Sequence, residues 1–360
     1  MKNFYNIHDF IKVAIDSGKS DLIHGYEHYL RQFKRATDNS AGADYTVKDF
    51  SDFKLPEPHF SAGDSFLGFK DGIYFPGEKY AITLEAGKIT EYTTYANRAT
   101  NLWTQTLLLK KGLSFVHSLG VEIDGKGLIF PAFGGVGKTL LASELRKQKE
   151  FKFFGDDFVI INGEATMYSY PADFSIYDYH LQMFPELKSA SAGKYLKRRK
   201  ILAPYFILKR IINFAAKRLT SSGEPFFSGW NANHAKVPAD NLIPKEKIGA
   251  QSELQAGIFL SRYNGSEIKL QDISLDRMSQ AVTGILNLEF GSGLPYLHAL
   301  EASGNFDTVE FENNQQKIIR QCFSKIKLYH ILIPQGINVR NYCEQVTSLI
   351  KNKILPEIDR

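Results

Sequence analysis

The sequence predicts an α/β fold, and three observations carry that expectation. Residues 44 to 95 break into short apolar runs, FLGF, GIYFP, YAITLE and ITEYTTY, separated by the turn formers KDG, GEK and AGK. From 113 onward strand-like runs alternate with helical patterns, as in α/β cores. Between one such strand, GLIFP, and one such helix, TLLASELRKQ, lies a loop rich in glycine.

The composition supports a folded chain with a sizeable core. It has 360 residues, 43% hydrophobic and 23% charged, which is ordinary globular usage. At roughly 150 residues per domain, about two domains are expected. The patterning suggests an N-terminal helical segment over 1–43, a β-rich portion over 44–112, and a domain over 113–360 that holds the loop. Two cysteines, Cys322 and Cys343, exclude a disulfide scaffold and a four-cysteine zinc site. The polar start MKNFYNIHDF lacks the layout of a signal peptide, and no apolar run reaches the length of a membrane span. A cytoplasmic protein is the expectation.

Each element follows from local pattern. Helices are expected over 5–17 and 24–36, the first with Phe10, Ile11, Val13 and Ala14 on one side. TDNSAGA at 37–43 reads as a turn or linker. A helix fits 98–112 through Leu102, Leu107, Leu108 and Leu109. Strands are expected at 119–123 and 127–131 around Asp124-Gly125-Lys126-Gly127, then a helix at 138–148 and strands at 151–155 and 158–162. Beyond 250, GIFLSRY, SEIKLQDIS and KLYHILIP read as strands and 275–290 as a helix. Asn338 or Asn341 would open a C-terminal helix over 341–354.

Charge is concentrated in one stretch. Ten basic residues, including Lys197, Arg198, Arg199 and Lys200, lie between Lys188 and Arg218 with no acidic residue among them. The whole chain carries only +5, so nucleic-acid binding is not expected. The basic stretch reads as a solvated helical insertion or as a surface for an anionic partner. Pro204 breaks the apolar run ILAPYFIL. The stretch 201–214 is apolar enough for peripheral membrane contact.

The loop reads Ala132-Phe133-Gly134-Gly135-Val136-Gly137-Lys138-Thr139. It fits the phosphate-loop pattern with Ala132 in the first glycine position. Gly134, Gly135 and Gly137 let backbone N–H groups approach phosphate oxygens. The helix that follows adds the partial positive charge of its N-terminus. Lys138 can reach the β- and γ-phosphates, and Thr139 can ligate Mg²⁺. The phosphate-binding stretch is taken as Phe133 to Leu140. Eighteen residues after Lys138 comes Phe154-Gly155-Asp156-Asp157. One carboxylate of such a pair can hold Mg²⁺ while the other takes a proton from an attacking hydroxyl; the alternative is a polar turn. His117, before the strand leading into the loop, is structural or chemical on its own evidence.

Other groups carry less chemistry. His180, in YDYH, is the wall of an acceptor pocket or a core edge. His234 and His330 show no metal-ligand spacing. Cys322 reads as core packing. Arg262, in FLSRY, is a charge clamp or a salt-bridged strand residue.

Taken together, HSLGVEIDGKGLIFPAFGGVGKT and FKFFGDDFVII resemble the catalytic core of the HPr kinase/phosphorylase family, which shares its nucleotide-binding core with phosphoenolpyruvate carboxykinases. The resemblance covers 113–163, with a looser likeness at IGAQSELQAGIFLSRY. It implies a P-loop-containing core of that type, with the β-rich N-terminal portion and the basic helical insertion as additions. By position it implies that Lys138 and the loop hold the phosphates of ATP or GTP. It also implies Thr139 and Asp157 on Mg²⁺, Asp156 as general base, and His117 beside the transferred phosphoryl group. The family's Glu-Ile-Arg-Gly-like segment is absent; YDYHLQMF and the basic stretch stand there instead. A kinase acting on a changed hydroxyl acceptor (a sugar, a small molecule or a serine-containing peptide or protein) is therefore the reading. Its rivals are a nucleotide-binding switch with little turnover and a carboxykinase-like or hydrolytic enzyme. Family members form oligomers, so an oligomer is also implied.

Overall fold

The chain opens as a β-hairpin where a helix was expected. In the computed structural model, which describes residues 2–35, 42–96, 99–177, 180, 183–184 and 234–358, β1 (Lys2–Ile7) and β2 (Ile11–Asp16) pair antiparallel. The buried set is Tyr5, Ile7, Ile11, Val13 and Ile15, which recurs every second residue within each strand, as a half-buried strand requires. The turn decides the matter. His8 and Asp9 take φ of 51° and 61°, the two left-handed residues that a two-residue hairpin turn needs. Asn6 secures it by accepting from the Asp9 N–H at 3.0 Å.

α1 (Ser20–Leu30) buries Leu22, Ile23, Tyr26 and Leu30. It ends before the expected limit because the chain turns through Arg31–Phe33 into β3 (Lys34–Arg35), which pairs with β1. The β-rich portion then supplies β4 (Tyr45–Asp49), β5 (Phe60–Ser61), β6 (Leu67–Phe69), β7 (Gly72–Phe75), β8 (Tyr80–Glu85) and β9 (Lys88–Thr93). Among the described residues these make a nine-stranded sheet, ordered β3-β1-β2-β4-β9-β8-β7-β6-β5. The hairpins β6–β7, β7–β8 and β8–β9 are antiparallel. β4 joins the two halves by pairing parallel with β2 and β9. α2 (Thr100–Leu109) is buried along almost its whole length, with Trp103 in the core.

The second sheet positions the loop. β10 (Leu113–Ile123) is almost wholly buried. Its first half pairs with β13 (Phe158–Asn162), and its second half pairs with β11 (Lys126–Pro131) and β12 (Phe151–Gly155). The change of partner falls at His117 and Ser118: His117 opposes Phe158, and Ser118 opposes Pro131. Gly120 allows the crossing, since a Cβ there would stand 2.7 Å from Val159. β14 (Thr166–Tyr168), β17 (Gln251–Tyr263), β18 (Lys269–Asp272) and β19 (Lys327–Pro334) complete the sheet. Its order is β11-β10-β13-β14-β17-β19-β18, and β11 also pairs parallel with β17, so the path closes on itself.

α3 (Lys138–Leu145) follows the loop. Later in the chain come α4 (Leu275–Glu289), α5 (Leu294–Ala302), α6 (Thr308–Phe323) and α7 (Val339–Leu349). Ser274, Asp307 and Asn338 cap α4, α6 and α7 by accepting backbone N–H groups, the usual use of these residue types at a helix start. α5 and α6 went unread in the sequence. The protein is thus mixed α/β with large sheets.

Met1–Ala172 with Lys245–Arg360 forms one compact unit, and Asp173–Pro244 a second. Within the second, β15 (Phe174–Tyr177) and β16 (His234–Val237) pair antiparallel. The basic run 188–218 and the apolar stretch 201–214 lie outside the described residues. Among the described residues, no helix is long and apolar enough to cross a membrane.

Candidate active site at the glycine-rich loop

Three chain segments meet at the end of β11, and strand register brings them there. The loop leaves Pro131, the partner of Ser118. The Asp156-Asp157 turn leaves Gly155, the partner of Gly120, and the Ser118 N–H donates to Asp157 O at 3.2 Å. His117 lies one residue before Ser118, at the same level. Gly155 is required at this bend, because a Cβ there would stand 2.1 Å from the Phe158 carbonyl oxygen.

Within the loop, Phe133, Gly134 and Gly135 are exposed, while Val136 and Leu140 bury their side chains. Only backbone groups of those two can therefore face a ligand. Gly137 caps α3 at φ 121°, a conformation that favours glycine. The Tyr342 ring would also stand 2.8 Å from any Cβ there. Tyr342 donates its hydroxyl to Gly137 O at 3.2 Å. Arg262 donates to Val136 O at 3.0 Å and to Pro334 O at 2.9 Å, and lies over the Tyr342 ring. The expected salt-bridged strand residue is thus a brace between one loop carbonyl and the end of β19, held there by planar N–H donors rather than by an ion pair.

Lys138 is buried at 7% exposure. Its Nζ donates to Ala132 O at 3.0 Å and lies 2.8 Å from His117 Nε2. An ammonium has no acceptor, so Nε2 accepts and the ring proton sits on Nδ1. Burial, helped by the Lys138 charge, holds His117 well below the ordinary histidine range, so the ring is neutral. Its Nδ1 is buried without a hydrogen-bond partner among the described residues. Phe158 meets the ring edge-on, and Phe290 stacks on Phe158. Burial also lowers Lys138, against the pull of Asp156, Asp157 and Glu289.

The two adjacent carboxylates differ in their surroundings. Thr139 Oγ1 donates to Asp156 Oδ2 at 2.5 Å. The hydroxyl expected to ligate Mg²⁺ is thus bonded to Asp156. Asp156 is buried and Asp157 half-buried. A further carboxylate, unread in the sequence, joins them. Glu289, the last residue of α4, places Oε1 3.6 Å from His117 Nε2. Burial pushes its carboxyl up, with Lys138 opposing and Asp157 adding. No motif marks LNLEF, and only the packing of α4 on β10 brings Glu289 to the loop.

The residues present fit a bound phosphate with a divalent cation. Lys138 keeps one of its three N–H donors, since its two bonds go to a neutral ring and a carbonyl. The space beside Gly134 and Gly135 is open, with no atom within 4 Å of a built Cβ. The buried Nδ1–H of His117 lacks an acceptor, and buried donors are seldom left so. Thr139 and Asp156 offer the hard oxygens that Mg²⁺ takes alongside substrate phosphates. Among the described residues, no group of three or more His, Cys, Asp or Glu side chains could hold a metal ion.

The other histidines and cysteines singled out in the sequence lie in surroundings of their own. His180 Nδ1 accepts from the Tyr177 N–H at 3.1 Å, and burial lowers the ring to about 4. His330 bonds Ser261 and Gln271 across β17, β18 and β19. The backbone of His234 lies in β16, and its side chain is outside the described residues. Cys322 and Cys343 are buried thiols pushed up to about 12.

No family model matches the chain, and no curated protein matches it. Among solved structures, the Hpr(Ser) kinase/phosphatase from Coxiella burnetii is similar to it at a TM-score of 0.30 and 11% identity, over 68% of this chain and 98% of that one. A likeness of that size bears on neither fold nor activity.

Proposed function

We propose that the chain is a nucleotide-dependent phosphotransferase that moves the γ-phosphoryl group of ATP or GTP to a hydroxyl. The observation that carries this reading is the meeting of Lys138, His117, Thr139 and Asp156 on one glycine-rich strand-to-helix loop. In the step, the bond from the γ-phosphorus to its bridging oxygen breaks and a bond to the acceptor oxygen forms. The hydroxyl proton passes to a carboxylate. Such transfers need positioning and charge neutralisation above all. The loop N–H groups and the start of α3 face the phosphates, and Lys138 brings a cation with a donor to spare. Neutral His117 offers its Nδ1–H to a phosphoryl oxygen. Mg²⁺, held by Thr139 and Asp156, would neutralise charge on the β- and γ-oxygens.

The Thr139–Asp156 bond supports an exchange of the two aspartate roles. Asp156 is the metal-side carboxylate and Asp157 the proton acceptor. The test is transfer from γ-labelled ATP with Mg²⁺ to a panel of sugars, hydroxy amino acids and small peptides, in wild type and Lys138→Ala. Labelling that depends on Lys138 supports the kinase. Nucleotide binding without any labelling would move the reading to a nucleotide switch.

A further inference from the structure

Glu289 belongs to two places at once. One carboxylate oxygen stands 3.6 Å from His117 Nε2, beside the phosphate-loop lysine. The same residue lines a cavity of about 120 Å³ formed by Tyr29, Thr100, Asn101, Ser292 and Gly293 among others. That cavity lies where the end of α4 meets the start of α2. We propose that it is the acceptor pocket and that it takes a small neutral polyol, with Glu289 holding one of its hydroxyls next to the transferring phosphoryl group. The inference rests on the phosphotransferase reading.

Size, polarity and charge each narrow the ligand. An engineered cavity of roughly 150 Å³ takes the six carbons of one benzene ring, so this smaller one suits about five or six non-hydrogen atoms. Its lining is rich in hydroxyl and amide groups, as a pocket that orients a hydroxylated ligand requires. Asn101 Oδ1 already accepts from the Tyr170 hydroxyl at 3.3 Å. That bond fixes the amide and leaves its N–H₂ donors for a ligand oxygen. Glu289 is the one charged side chain among the described residues lining the cavity. A carboxylate accepts from a hydroxyl and repels an anion, so sugar phosphates and hydroxy acids are disfavoured. Phe290, also in the lining, stacks on Phe158, which ties the wall to His117.

The test is binding and transfer measured side by side. Glycerol, erythritol and L-serine amide, with a blocked seryl tripeptide as the larger competitor, are titrated into wild type, Asn101→Leu and Ser292→Phe by ligand-observed NMR. Circular dichroism melts verify that the variants fold. The expected result is that a polyol binds wild type and loses at least tenfold in affinity in both variants. Glu289→Gln should raise the KM for that polyol in ATP-dependent labelling more than it lowers kcat. Binding that survives both pocket variants, binding of the tripeptide alone, or no binding of any probe to wild type overturns the proposal. ATP titration of wild type is read separately. Polyol binding without ATP binding sinks the phosphotransferase reading, and ATP binding without polyol binding sinks only the pocket.

Discussion

Glu91, on β9, and Lys138, at the start of α3, are both buried ionisable groups, and their surroundings differ in kind. Glu91 is fully buried on β9. The Tyr45 hydroxyl donates to it, and the hydroxyls of Tyr26 and Tyr80 also act on it. Trp103 donates to the Tyr80 oxygen at 2.8 Å, which leaves that hydroxyl's proton for Glu91. Burial pushes the carboxyl up to about 7, and the three tyrosines pull against it. Three tyrosines from α1, β4 and β8 surround the carboxyl, so the group serves the packing of α1 and the sheet. Lys138 instead has a donor to spare, a neutral histidine as its partner, and open glycines beside it. Buried polar groups are nearly always satisfied from within. Capacity left over beside an opening marks a place built for a ligand.

The largest expected effect strikes the loop region alone. Lys138→Ala should lower phosphoryl transfer by roughly 10²–10³-fold, as removal of one charge-stabilising donor does elsewhere. Stability in urea should stay within about 1 kcal/mol or rise, because a buried cation is costly to hold. A variant that unfolds while Glu91→Gln does not would reverse the contrast.

The two aspartates offer the next test. Asp157→Asn should lower kcat by roughly 10²-fold, the usual scale for losing a general base. Asp156→Asn should chiefly raise the Mg²⁺ concentration needed for half-maximal rate. Titrating the metal at fixed ATP separates the two, and the opposite pattern would restore Asp156 as the base.

Glu91 makes the structural half of the contrast measurable through pH. Its carboxyl is raised above the unfolded value, so its contribution is fully present below about 4.5 and lost as pH rises through about 7. Wild type should lose up to about 3 kcal/mol of this term between pH 5 and 8. Glu91→Gln should lack the loss, and urea midpoints at the two pH values report the difference. Parallel lines for both proteins would show that Glu91 does not titrate in that window. His117 runs the other way. Since its pKa is held well below the ordinary range, kcat/KM should show no falling limb at pH 6–7 from this ring.

The smallest effect concerns the brace. Tyr342→Phe removes one neutral hydrogen bond to Gly137 O, worth about 1 kcal/mol. It should weaken ATP binding up to about fivefold by calorimetry and lower stability in urea by no more than about 1 kcal/mol. An unchanged affinity would mean that the loop holds its shape without α7.

Much of this site was legible before any coordinates. The spacing of Gly134, Gly135, Gly137 and Lys138 between a strand and a helix is local chemistry. The short strands of 67–93 were equally readable, since DG and GK turns dictate hairpins over a few residues. The hairpin at 2–16 was not, because His8 and Asp9 adopt the left-handed turn without the glycine that usually announces it. Arg262 carried no mark of its place, since its partners are backbone carbonyls 72 and 126 residues away.

By itself, then, the sequence determined the loop, the aspartate pair and most strands from 44 onward, and it narrowed the last helix cap to Asn338 or Asn341. Each depends on backbone preferences and side chains within a few positions. Only the tertiary structure decided that Asp156 rather than Asp157 meets Thr139, that His117 accepts from Lys138, and that Glu289 closes the cluster. Those outcomes depend on where β10 changes partner and where α4 packs. They are set by strand register and burial, across 17 and 21 residues for the two contacts at the loop and across more than a hundred for Glu289, which no local pattern encodes.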